Sequence, residues 1–139
     1  MKNRFKGLLV AAAVAGTIAG VAPTAQASPV SVCSHFSWGG QYVCDLADPN
    51  RGETWWNLSD GTRQLFVIGI DGAVWTRWSY PGGSLSSWQN FGGKWALDTP
   101  YIAISPSASS VTISVMGIDG RRWYKTRPVP GSWGDWVTV

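Results

Sequence analysis

The sequence predicts an all-β fold: two four-stranded antiparallel units behind a short, disulfide-closed N-terminal segment. Three observations carry this. Ile70-Asp71-Gly72 recurs as Ile118-Asp119-Gly120, 48 residues later. Each copy follows a short apolar run rich in β-branched residues, and Asp-Gly suits a tight hairpin because Gly accepts positive φ without steric cost. Beyond the first 27 residues no segment shows a helical apolar period. Gly, Trp, Val, Ile and Thr dominate where a helical bundle would use Leu, Ala, Glu and Lys.

Residues 1–27 read as a secretory signal peptide, and the expected destination is extracellular. Lys2, Arg4 and Lys6 give a positive start, Gly7 to Ala22 is apolar, and Ala25-Gln26-Ala27 is a small-x-small cleavage site. The apolar run is too short and too rich in Ala and Gly for a membrane span, so no membrane insertion is expected. The full chain carries 11 Lys plus Arg against 8 Asp plus Glu. Three of those cations leave with the leader, which brings the remainder to a formal charge of zero. A basic-protein argument for nucleic acid or anionic membrane therefore fails. All ten Trp follow the leader, in a composition unlike that of a disordered chain.

Residues 28–52 form the N-terminal segment, with Cys33 and Cys44. A disulfide is the default for two Cys in an exported chain. The competing reading is a zinc set of Cys33, Cys44, His35 and Asp45. A single His after the leader and an oxidising destination weigh against it, and no metal or cofactor is expected.

The first unit spans about 53–92, with strands at Thr54 to Ser59, Leu65 to Ile70, Ala73 to Ser79 and Leu85 to Phe91. The second spans about 95–139, with strands at Pro100 to Ser105, Val111 to Ile118, Arg121 to Thr126 and Trp133 to Val139. The loop before the hairpin is expected to be shorter in the first unit. The apolar runs at 65–70 and 111–118 suit strands buried on both faces. Tyr80-Pro81-Gly82-Gly83 and Pro128-Val129-Pro130-Gly131 are loops, and Gly92-Gly93 joins the units. The 48-residue offset also pairs Gly69 with Gly117, Trp75 with Trp123, Arg77 with Lys125 and Trp88 with Trp136.

Four-stranded units of this length with a Trp and Gly signature fit propeller blades. The run Phe66 to Trp75, then Trp88-Gln89-Asn90-Phe91-Gly92-Gly93, resembles the repeat of PLL-like β-propeller lectins, a group related to tectonin-type lectins. Met116 to Trp123 and Ser132 to Trp136 fit the same pattern. The resemblance covers about residues 63–139. It implies binding of fucose or related sugars. Such propellers carry several repeats in one chain, and two cannot close a ring. Self-association as a trimer or another small homo-oligomeric ring is expected, and the alternative is an open stack with a modified edge.

The candidate sugar-binding residues are Trp75, Arg77, Trp78, Trp88, Trp123, Lys125, Trp133 and Trp136. An indole face stacks on a pyranose, and a neighbouring cation can donate to hydroxyls; the same Trp could equally fill the core. Trp75 and Arg77 share a strand face, as do Arg121, Trp123 and Lys125. Trp78 and Trp133 have no Trp partner at the offset, and at least one is expected to be exposed to ligand. Asp71 and Asp119 are turn residues on this reading. They are poor candidates for a glycosidase pair, and no nucleophile or metalloprotease motif is present. No acidic cluster suits calcium. The expected function is calcium-independent binding of glycans without catalysis. The alternative is a secreted, non-catalytic protein-interaction or structural module.

Overall fold

The structure, a computed structural model, describes residues 31–45, 47–48 and 51–139. The expected signal peptide lies outside the described residues. Among the described residues there are strands and turns but no helix, and so no helix long and apolar enough to cross a membrane.

Strands β1 (Ser31–Ser34) and β2 (Gln41–Cys44) form an antiparallel hairpin. The first four-stranded sheet runs β3 (Glu53–Asn57), β4 (Arg63–Ile68), β5 (Val74–Trp78), β6 (Gln89–Gly92) in spatial order. The second runs β7 (Ile102–Pro106), β8 (Ser110–Met116), β9 (Arg122–Pro128), β10 (Val137–Thr138). All strand pairs are antiparallel, and neither sheet closes on itself.

Strand β4 organises the layers. Successive strand residues point to opposite faces, and β4 is apolar on both. Leu65 and Val67 pack with Trp38, Tyr42 and Cys44 of the N-terminal segment. Phe66 and Ile68 pack with Ile102, Ile113 and Val115 of the second sheet. The molecule is therefore a stack of hairpin, first sheet and second sheet. Burying a side chain of this size contributes about 1.5–3 kcal/mol, so the two faces of one short strand hold three layers together.

Strand β8 departs from the expectation of two buried faces. Val111, Ile113 and Val115 are fully buried. Ser110, Thr112, Ser114 and Met116, on the other face, are only half-buried. The neighbouring strand continues this polar face with Arg122, Tyr124 and Thr126, and Thr112 and Thr126 share a hydroxyl hydrogen bond at 2.8 Å. Where the first sheet presents Phe66 and Ile68, the second presents Ser114 and Met116. No further described layer covers this face, and its polarity makes that tolerable.

The N-terminal segment is itself a β-hairpin, which the sequence reading did not contain. Cys33 and Cys44 are joined as a disulfide with Cα atoms 5.9 Å apart. That commits both thiols and excludes the zinc set. Closing so short a loop contributes about 2–3 kcal/mol in the chain-entropy view. The loop lengths also differ from expectation. Residues 58–62 separate β3 from β4, and only 107–109 separate β7 from β8, so the shorter loop belongs to the second sheet. The outer strands β6 and β10 start later than expected. In the first sheet the Ser86 hydroxyl accepts from Trp78 N–H at 3.0 Å, replacing a ladder bond. In the second, Gly134 N–H donates to Thr126 C=O at 2.9 Å ahead of β10.

Burial, reinforced by the Glu53 carboxylate, pushes the Tyr42 hydroxyl up to about 12. A raised phenol pKa means the fold favours the protonated form. That stability is fully present below about pH 10 and is lost as pH rises through the folded value. Chemical denaturation from pH 9.5 to 12 should cost the wild type about 2–3 kcal/mol more than Tyr42→Phe. Equal pH slopes for the two proteins would show that Tyr42 is not the titrating group.

Candidate functional site

Two clefts open at the layer boundaries, and they are built from the same residue types. The first, about 380 Å3, lies between the hairpin and the first sheet; Gly69, Ile70, Asp71, Trp75 and Trp88 line it. The second, about 220 Å3, lies at the start of the second sheet; Gly117, Ile118, Asp119, Trp123 and Trp136 line it. The segment preceding each sheet closes the back: Gly40 and Gln41 in the first cleft, Gly93 and Lys94 in the second. Isolated bridges fix this placement, Tyr42 to Gly69 and Trp95 to Gly117.

Local chemistry explains the shared form. Gly69 N–H donates to Ala73 C=O at 2.8 Å, and Gly117 N–H to Arg121 C=O at 2.8 Å, closing each hairpin. Asp71 Oδ1 accepts from Ala73 N–H at 3.0 Å, and Asp119 Oδ1 from Arg121 N–H at 3.0 Å. Each carboxylate also receives an indole N–H, from Trp75 at 3.1 Å and from Trp123 at 3.3 Å. The Arg121 backbone N–H holds the Asp119 carboxyl below its usual range, with the Trp123 indole and the Arg121 charge acting in the same direction. An ionised carboxylate has about four acceptor positions, so each Asp retains capacity for a ligand hydroxyl. The Cδ1–Nε1 edge of each indole, beside the Asp carboxylate, stands against a Gly that leaves no room for a Cβ. A Cβ on Gly69 would sit 2.7 Å from Trp75 Cδ1, and one on Gly117 would sit 2.8 Å from Trp123 Nε1.

Four of the eight candidate residues therefore come together as two indole pairs, Trp75 with Trp88 and Trp123 with Trp136. Arg77 shares the face of Trp75, as expected, but is directed inward. Its Nε donates to Ser86 C=O at 2.6 Å and its Nη1 to Trp38 C=O, and its guanidinium lies 5.9 Å from the Trp88 ring. It ties the hairpin to the first sheet. Lys125 Nζ sits 4.8 Å from the Phe91 ring and 5.5 Å from the Trp136 ring, between the two sheets. Neither cation lines a cleft.

Trp78 and Trp133 meet elsewhere, at the opposite ends of β4 and β5. There a groove of about 420 Å3 runs between the two sheets, walled by Trp56, Trp78 and Trp133 with Arg127 beside them. Trp133 is half-buried, with ring centroids 5.7 Å from Phe66 and 5.1 Å from Phe91. Its packing makes Trp133→Ala a core truncation. Trp78 is also half-buried, and its ring neighbour is Tyr80 at 6.4 Å.

The sequence reading missed Ile70 and Ile118, which are 55% and 72% exposed at the cleft mouths. Their signal was the repeated Ile-Asp-Gly itself, where an apolar residue in a turn has no core to enter. It also missed Trp56, Gln64 and Arg127 in the groove. Among the described residues no group of three or more His, Cys, Asp or Glu could hold a metal ion. No protein-family model matches this chain, and no curated protein matches it.

Gly69→Ala should displace the Trp75 indole from its bed and cost about 1–3 kcal/mol, the usual range for overpacking. Urea denaturation measures this, and Gly82→Ala is no control for it, because Gly82 has positive φ in open space. The informative comparison is Gly69→Ala with Trp75→Ala in the background. A Cβ there would also stand 2.7 Å from Asp71 Oδ1, so the added cost of the methyl group should fall without vanishing, and an unchanged cost would show that the indole is not an obstacle.

Proposed function

We propose that the protein is a secreted, non-catalytic carbohydrate-binding protein whose saccharide lies across the two Trp clefts. The observation that carries this reading is the duplicated constellation of two indoles, an exposed Ile and an Asp at each layer boundary. Indole faces suit the apolar face of a pyranose ring. A carboxylate with free acceptor positions suits its hydroxyls. An open depression lies between the clefts, sharing Asp71 with the first and Ile118 with the second. Together they make a strip, which fits an oligosaccharide better than a single sugar. The resemblance to propeller-type lectin repeats supports the same class, and the two sheets serve as two blades on this reading.

We also propose that the working unit is one chain. The hairpin covers one face of the first sheet, and the polar outer face of the second sheet suits an open end better than a ring contact. Multi-angle light scattering at micromolar concentration should give a monomer. A trimer or larger ring would return the assembly to a closed propeller. The exposed Ile70 and Ile118 favour a protein partner as the second reading. A glycan array separates the two. The wild type should bind oligosaccharides with chelator present, and Trp88→Ala and Trp136→Ala should each weaken binding at least about tenfold. Truncating a packed Trp can itself cost about 3–5 kcal/mol, so each variant's melting curve is read beside its binding. An array with no hits for well-folded wild type discards the carbohydrate reading in favour of the interaction module.

A further inference from the structure

We propose that the groove between the sheets binds the carboxylate of an acidic saccharide, a hexuronate residue, through Arg127. The inference rests on the carbohydrate reading and names the class of sugar this second site takes.

The guanidinium of Arg127 is held over the Trp56 ring at 4.8 Å and lies 5.8 Å from the Trp133 ring. Among the described residues no acidic side chain pairs with it, and its buried Nε has no hydrogen-bond acceptor. A buried charged donor without an acceptor is costly, and Arg favours planar, two-point recognition of carboxylates. No groove-lining residue is Asp or Glu, so nothing in the groove opposes an anion. The other lining cation, Arg63, is engaged elsewhere. Its guanidinium lies 4.1 Å from the Trp55 ring, and its Nε donates to Asn57 Oδ1 at 2.9 Å.

The floor provides for the rest of a sugar ring. Gln64 is buried, and its amide nitrogen donates to Thr76 Oγ1 at 2.9 Å, while Thr76 Oγ1 donates to Leu65 C=O at 2.9 Å. Among the described residues none donates to Gln64 Oε1, which can accept from a sugar hydroxyl. The Trp78 ring supplies a wall whose loss would leave Phe66, Phe91 and Trp133 in contact. One cation between indoles, one amide acceptor and one lateral indole together discriminate a uronate from its neutral hexose.

The test is isothermal titration of the wild type with methyl α-D-galactopyranosiduronate, its methyl ester and methyl α-D-galactopyranoside. The acid should bind at least about tenfold more tightly than either neutral form, a difference typical of one charge-assisted contact. The preference should shrink as salt is raised. Arg127→Gln should abolish it, and Arg127→Lys should retain part of it. If Arg127→Gln does not fold, Trp78→Ala should weaken acid binding, and the ester comparison needs no variant. Equal affinity for acid and ester, or no binding of the acid, overturns the proposal. Neutral saccharides that still bind in a Trp88-dependent way would leave the carbohydrate reading standing. Loss of all saccharide binding would remove both.

Discussion

The structure depends on β4 being apolar on both faces. A strand buried on one side needs only alternation, whereas β4 holds Leu65, Phe66, Val67 and Ile68 in succession, all buried. Two layers must then cover it. The disulfide-closed hairpin covers one face and the second sheet the other. The clefts follow from this. Each opens where a covering segment meets the turn after the central strand, first at Gly69 and then at Gly117.

At those turns one interaction set serves folding and exposes chemistry together. Asp fixes its own turn by accepting a backbone N–H two residues on, and it anchors the indole N–H four residues on. Anchored in this way and seated on Gly, the ring has one place to go. A preorganised aromatic face loses little entropy on binding. The cations expected to help at these faces have other work. Arg77 holds the hairpin against the first sheet, and Lys125 lies between the rings of the two sheets. Arg127, in the groove, presents a guanidinium whose buried Nε no protein acceptor engages among the described residues.

Much of the fold was legible because its signals are local. Asp-Gly between β-branched runs marks both hairpins, and all eight strands of the two sheets overlap the segments that alternation and turn residues mark, though β6 and β10 start late. The hairpin at β1 and β2 was not legible, since Ser31–Ser34 and Gln41–Cys44 are four residues each and sit among Ser, Gly and Gln. The late start of β6 was hidden because it depends on a tertiary hydrogen bond from Trp78 N–H to the Ser86 hydroxyl. The clefts were half legible. The duplicated Trp and Asp stood out, but a one-dimensional pattern cannot show which way Arg77 turns, nor that the unmatched Trp78 and Trp133 meet across two sheets. The open outer face of β8 was visible as Thr112, Ser114 and Met116 alternating with Val111, Ile113 and Val115. It was overlooked because the run is apolar on average.

The claim that the two clefts together form the saccharide site is tested most directly by the indole N–H resonances. In a 15N-labelled sample titrated with an oligosaccharide taken from the glycan array, Trp75, Trp88, Trp123 and Trp136 should shift together along one binding curve. Trp55, which lines neither cleft nor the depression between them and whose N–H is bonded to Glu53 Oε1, should stay in place. Saturable binding that leaves all four cleft indoles unmoved would contradict the claim, whichever other resonances respond.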